Sequence, residues 1–298
     1  MEKNRSNFTG SIGFIFAAAS SAVGLGNLWR FPYLAAKYGG GIFLLAYLIL
    51  AVTFGFALMV TEIAIGRKTR LSPMEAFGSL NKKWKWLGKL TTLVPVLILP
   101  YYCVIGGWVT KYGAVMLSGA VSESANDSYF PSFISSTVSP LVFFLIFALL
   151  VAIIIFLGVN KGIEKFSKLL MPLLLVLTIG LTVFVLTRKG AGAGVAYYLK
   201  PDFANLSIKT ILAALGQLFF SMSLAMGIMI TYGSYVRKED NIEKSVRQIE
   251  MFDTLIAFLA GLMIVPAVFA YSGGDADALG KGPSLMFVTL PKVFKEMP

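Results

Sequence analysis

Histidine is absent from the 298 residues, and cysteine occurs once, at Cys103. The first absence removes the commonest general base, the usual zinc and haem ligand, and the one side chain that normally titrates near neutrality. The second excludes a disulfide framework and any cysteine-rich metal centre. Charge is scarce too: 14% of residues are Asp, Glu, Lys or Arg, where an ordinary soluble domain carries about 25%. With 57% hydrophobic residues and a mean hydropathy of +0.77, the chain reads as an all-α membrane protein. No phosphate loop, metal-ligand pair or nucleophile–base pair stands in the sequence, so an enzyme is not expected.

The net charge of +11 alternates with the hydrophobicity, which argues against a nucleic-acid partner. Lys and Arg gather at Lys3 and Arg5, from Arg67 to Lys89, at Lys161, Lys165 and Lys168, and from Arg237 to Arg247. These clusters fill every second interval between apolar runs, starting at the N-terminus. That is the positive-inside bias, and it puts the N-terminus in the cytoplasm of a multi-pass protein of the cell membrane. A crossing helix needs about 20 apolar residues, and seven such segments are predicted: 11–37, 41–66, 88–118, 139–158, 161–187, 208–236 and 246–271. Residues 272–298 read as an external loop with a weakly amphipathic end, and the whole chain as one transmembrane domain.

Two of the seven segments are unusual. The first contains Ser20-Ser21-Ala22-Val23-Gly24-Leu25-Gly26-Asn27, and glycine weakens a helix by about 1 kcal/mol relative to alanine. The sixth contains Phe219-Phe220-Ser221-Met222-Ser223-Leu224-Ala225-Met226-Gly227. Small residues also serve close helix packing, which is the plainer reading of Gly24 and Gly26 alone. Paired interruptions five helices apart instead suggest an inverted repeat with a binding site at its centre. A break inside the bilayer bares backbone groups that lipid cannot satisfy. Its N-terminal half-helix suits a carboxylate, and the opposing carbonyls suit a monovalent cation. Side-chain oxygens of Ser20, Ser21, Asn27, Ser221 and Ser223 flank the two breaks. Arg30, Glu62 and Asp253 lie in or near apolar runs, where an ionisable group is a functional candidate by default. For Glu62, satisfying local backbone or an arginine near the cytoplasmic face is an equally good reading.

On the segments SSAVGLGNLWRFPYLAAKYGGG, TEIAIGR, PYYCVIGGW, FFSMSLAMG, ITYGSYVRK and LAGLMIVPA, the chain resembles the neurotransmitter:sodium symporter family, in its prokaryotic amino-acid branch. The resemblance runs over essentially the whole sequence. It implies a LeuT-type inverted-repeat bundle, with 11–187 as the first five-helix repeat and 208–271 as the opening pair of the second. It further implies one sodium site at the Ala22 carbonyl, Asn27, Ser221 and Asp253, the last standing where the family commonly has Asn. A second site would use the Ser20 and Val23 carbonyls. The amino-acid carboxylate would meet Leu25, Gly26 and Tyr102; the amine would meet Ala22, Phe220, Ser221 and Ser223. Ile98, Tyr102, Ala225 and Met226 would surround the substrate side chain, with Tyr102 and Phe220 as a lid. Arg30 would belong to an outer gate, and Arg5, Phe8 and Tyr235 to an inner one. Gly162 and Pro172 match a fifth-helix motif tied to inward release of sodium.

The function so implied is sodium-coupled import of a neutral hydrophobic or aromatic L-amino acid by alternating access, since no residue of the side-chain pocket is charged. Animal members bind chloride near Tyr47, Gln217 and Ser221. Here the carboxylate of Asp253 would repel it, so no chloride requirement is expected. Helices eight and ten of the family are missing from 298 residues, which makes the chain a fragment on this reading, one not expected to transport alone. A binding-only fragment is the main alternative. A seven-helix receptor fits the helix count, but that architecture has an external N-terminus.

Overall fold

The structure is a computed structural model that describes residues 8–271 and 284–297. The described residues are almost wholly helical, and five helices are long and apolar enough to cross a membrane: Gly41–Thr69, Lys82–Leu117, Val138–Phe156, Val159–Leu186 and Ile242–Tyr271. These are the predicted second, third, fourth, fifth and seventh crossings. The first is a pair of half-helices, Ser11–Ala22 and Gly26–Lys37, bent by 47° across Val23–Leu25. The sixth is likewise split, into Ile208–Ser221 and Ile228–Gly233.

Both breaks fall where the small and polar residues predicted them, and local chemistry explains each. In the first crossing the Gly24 N–H donates to Asn27 Oδ1 at 3.1 Å, a side-chain bond that takes the place of the helical one. In the sixth, Ser223 and Ala225 have φ of 54° and 59°, and Gly227 has 71°. Left-handed geometry at non-glycine residues costs roughly 1–2 kcal/mol each, so tertiary contacts must hold this stretch open. The sixth crossing starts at a conventional cap, with Ser207 Oγ accepting from the Thr210 N–H at 3.2 Å.

The seventh crossing runs through the middle of the bundle, with Asp253, Ile256, Ala257 and Ala260 fully buried. Val138–Phe156 is the opposite case, apolar throughout with no buried residue, as a lipid-facing helix should be. The second and sixth crossings meet backbone to backbone: a side chain at Gly66 would strike the Ile230 carbonyl, and one at Gly233 would strike Ile63. Without a hydrophobic force between helices in lipid, such small-residue contacts carry the packing.

The end of the bundle away from Phe8 has its own aromatic layer. The helix Ser284–Lys295 lays Phe287 on Phe130, ring centroids 5.0 Å apart, and against the edge of Trp108. Lys292 pairs with Asp127 at 2.6 Å. The expected external loop is thus partly helical; residues 272–283 of it lie outside the described residues. Gly66→Val should lower stability by about 1–3 kcal/mol through overpacking, read as a lower thermal midpoint of the detergent-solubilised protein.

Candidate functional site between the broken helices

One carboxylate gathers the site. Asp253 is fully buried in the seventh crossing. Asn27 Nδ2, from the half-helix after the first break, donates to its Oδ1 at 2.8 Å and to its backbone carbonyl at 3.0 Å. Ser221 Oγ, the last helical residue before the second break, donates at 2.9 and 3.0 Å to the two carboxylate oxygens. The Tyr47 hydroxyl, from the second crossing, donates to Oδ2 at 3.1 Å. Four crossings therefore converge on one side chain, and every partner is itself buried. The resemblance placed Asn27, Ser221 and Asp253 together, and the structure brings them together.

A second connection joins the breaks through Gln217. Its Nε2 donates to the Gly26 carbonyl at 2.9 Å, and its Oε1 accepts from Arg30 Nη1 at 3.3 Å. Arg30 also reaches the Gly216 carbonyl at 3.2 Å and lies 4.7 Å from the centre of the Phe220 ring. Tyr102 packs against the other part of this arrangement, 5.9 Å from Phe220 and tilted by 36°. Arg30, Tyr102 and Phe220 thus form one aromatic–cation stack at the end of the break. Gly26 fits beneath Phe220 because it has no side chain; a Cβ there would lie 3.0 Å from the ring.

The unwound sixth stretch is held from two sides. Ser223 Oγ donates to the Ser21 carbonyl at 3.2 Å, at the end of the first half-helix. The Ala225 N–H donates to Glu62 Oε1 at 2.6 Å, so this carboxylate serves a backbone group of the sixth crossing, 163 positions along the chain. Glu62 Oε2 and Ser20 Oγ are buried without a hydrogen-bond partner among the described residues. Ile98 lies half-buried in the third crossing, one turn from Tyr102.

Other expected residues sit around two cavities. One, of about 510 Å³, is lined by Phe8, Tyr232 and Tyr235 together with Met226, Gly227 and Ile163. Phe8 stacks on Tyr232 at 6.1 Å and meets Tyr235 edge-on, while its N–H donates to the Tyr235 carbonyl at 3.2 Å. Ser20 and Val23 line a second cavity of about 480 Å³ against Ile163, Ser167 and Met171 of the fifth crossing. Gly162 is buried in the wide first turns of that crossing, Val159–Glu164, and Pro172 lies further along it. Arg5 lies outside the described residues.

Thr9 and Glu164 went unnoticed in the sequence. Glu164 is buried and accepts from Thr9, a contact with no signal in either residue's neighbourhood; its lysine-rich surroundings read only as a cytoplasmic charge cluster. Among the described residues no group of three His, Cys, Asp or Glu could hold a metal ion, which leaves oxygen donors around a single carboxylate as the chemistry on offer. Such a set suits a hard monovalent cation better than a transition metal.

The family model described as "Sodium:neurotransmitter symporter family" matches residues 5–129 and 134–298. A sodium-dependent transporter of Bacillus subtilis, YhdH, is 37% identical over 302 residues, covering all of this chain and 66% of that protein. A sodium-dependent transporter of Haemophilus influenzae is 34% identical over 310 residues, covering 99% of this chain and 67% of that one. The chain therefore spans about two thirds of the length of the curated relatives it matches. Among solved structures, MhsT in complex with L-phenylalanine superposes with a TM-score of 0.92 at 39% identity, over 99% of this chain and 67% of that one. Asp253→Ala would orphan three buried donors at about 1–3 kcal/mol each. Its thermal midpoint should therefore fall further than that of Ser221→Ala, which leaves Asn27 and Tyr47 in place.

Proposed function

Because the chain belongs to the sodium:neurotransmitter symporter family, a family of secondary transporters and not of enzymes, we propose that it serves sodium-coupled uptake of a neutral hydrophobic or aromatic L-amino acid. The observation that carries this reading is the convergence of Asn27, Ser221 and Tyr47 on the buried Asp253. A carboxylate in the bilayer core is costly unless its charge is balanced. One sodium ion supplies the balancing charge, and it favours the oxygen ligands present here.

Sodium would take the carboxylate of Asp253, the side-chain oxygens of Asn27 and Ser221, and the Ala22 carbonyl. A second ion would lie at Ser20 and Val23. The residues fit the ion chemically: all the donors are oxygen, one is anionic, and Ser20 Oγ is buried with no partner among the described residues. The substrate carboxylate would meet the N–H groups of Leu25 and Gly26, which open a half-helix with its positive dipole end, and the Tyr102 hydroxyl. The Ser223 hydroxyl and the carbonyls of Ala22, Phe220 and Ser221 would hold the amine. Ile98, Ala225 and Met226 leave an uncharged surround for the side chain, and a charged side chain there would meet a large desolvation cost. The likeness to MhsT, solved with L-phenylalanine, supports this substrate class.

Each conformational step follows from these contacts. Ion and substrate draw the two halves of the first and sixth crossings together, so each raises the affinity of the other. Tyr102, Phe220 and Arg30 close one end; Phe8 and Tyr235 close the other, with Arg5 assigned to the same inner gate. Wide turns around Gly162, ahead of Pro172, let the fifth crossing loosen on the inner side. The protein would act in the cell membrane with its N-terminus in the cytoplasm.

Chloride is not required on this reading. Two unit negative charges about 4 Å apart repel by roughly 4 kcal/mol at an effective dielectric of 20, and each 1.36 kcal/mol is a factor of ten. Asp253 beside Tyr47, Gln217 and Ser221 would weaken chloride there by about three orders of magnitude.

Three measurements test the proposal. Labelled phenylalanine or tryptophan should bind only with sodium present, and large apolar amino acids should displace it better than glutamate, lysine or glycine; the reverse order overturns the substrate class. Binding at fixed sodium should be unchanged when gluconate replaces chloride, and Asp253→Ala should abolish sodium-dependent binding.

A further inference from the structure

Glu164 is an acid in a lysine-rich stretch, and it is 1% exposed. It stands at the end of the wide turns Val159–Glu164 that open the fifth crossing, next to Ile163, which lines both cavities. Its Oε2 accepts from the Thr9 N–H at 3.2 Å, and its Oε1 accepts from the Thr9 hydroxyl. Lys168 donates to Oε1 at 2.7 Å and to Thr9 Oγ1 at 3.2 Å. Across the first half-helix, Gly13 leaves the space the carboxylate occupies; a Cβ at Gly13 would fall on it.

The partner of this carboxylate is the segment that covers the Phe8 cavity. Phe8 is bonded through its N–H to the Tyr235 carbonyl of the sixth crossing, and the next residue, Thr9, is bonded twice to the fifth. Residues 8 and 9 therefore strap the two crossings on either side of the cavity to the start of the first half-helix. Moving that half-helix outward requires Thr9 to leave Glu164, because backbone and hydroxyl are both held by one buried group.

We propose that Glu164 is a gate-positioning residue, whose carboxylate holds Thr9 and thereby keeps the cavity lined by Phe8, Tyr232 and Tyr235 closed to the side bearing the N-terminus. This rests on the alternating-access reading above. It assigns a role to a pair of residues, Thr9 and Glu164, outside the ion and substrate sites. Lys168, 41% exposed in its side chain, reaches the carboxylate and the Thr9 hydroxyl from the solvent side, whereas the Thr9 N–H is held by Glu164.

The test uses Thr92→Cys, a conservative change at a residue that lines the cavity, in a Cys103→Ala background. Its modification by a membrane-impermeant thiol reagent is followed from the side bearing the N-terminus, in sodium and in choline. In the parent, sodium should slow labelling. Glu164→Ala should raise the rate in sodium at least about threefold, as expected when a closed population is shifted by a lost contact. Gly13→Ala should do the same, because it leaves every hydrogen-bonding group in place and only displaces the carboxylate. Glu164→Gln, which keeps an oxygen for Thr9, and Lys168→Met should stay near the parent rate. Parent-like labelling in Glu164→Ala and Gly13→Ala overturns the proposal, as does a Lys168→Met rate equal to that of Glu164→Ala. A parent rate that ignores sodium would instead count against the transport reading itself.

Discussion

A single carboxylate buried at the level of two helix breaks constrains everything around it. Asp253 is inaccessible to water, and a group of that kind is tolerable only if its oxygens are occupied and its charge is met. Hydrogen bonds from Asn27, Ser221 and Tyr47 meet the first demand. They also dictate geometry, since each donor lies on a different crossing. Asn27 can reach Asp253 only because the first helix is bent ahead of it, and Ser221 sits where the sixth helix stops. The breaks and the carboxylate act together: without the interruptions the donors would point along intact helices, and without the acid the interrupted ends would be joined only by the bonds of Gln217, Arg30 and Ser223. On the proposed function, neutralising the charge falls to a sodium ion, and ion binding and closure of the bundle would be the same event.

Gln217 extends this arrangement toward the aromatic end. Its amide touches the first break through the Gly26 carbonyl and touches Arg30 through its own oxygen, so the guanidinium over Phe220 is oriented from below. On the proposed function, Gln217, which is fully buried, would couple the substrate lid to the ion site without touching the substrate. Glu62 performs the comparable task for the sixth crossing by holding the Ala225 N–H.

Much of this was legible in the sequence, for definite physical reasons. Hydropathy marks the crossings because lipid admits only long apolar helices. Serine, glycine and asparagine clustered in two otherwise apolar runs mark the breaks, and the acid in FDTLIAF stands out against its neighbours. Boundaries were less visible: the seventh crossing starts at Ile242, not near 246, because Ile242, Ser245 and Val246 are buried in a stretch whose charges suggested a loop. The Thr9–Glu164 contact was invisible, since its partners are 155 positions apart and neither interrupts a pattern. Tyr47 and Gln217 were noticed only through family resemblance; a tyrosine in an apolar helix carries no sign of which buried acid it faces.

The left-handed residues of the sixth crossing carry a consequence for how this sequence can vary. Ser223 and Ala225 adopt a conformation that costs side-chain-bearing residues energy, and neither is glycine. The kink is therefore held partly from outside, by Ser21 and Glu62, and not by the local residues alone. An evolving population could relax that conflict with glycine at either position, but the stretch would then lose its memory of one shape, and the walls of the chamber would wander. With serine and alanine there, the shape of the segment depends on its two tethers, the Ser21 carbonyl and the Glu62 carboxylate.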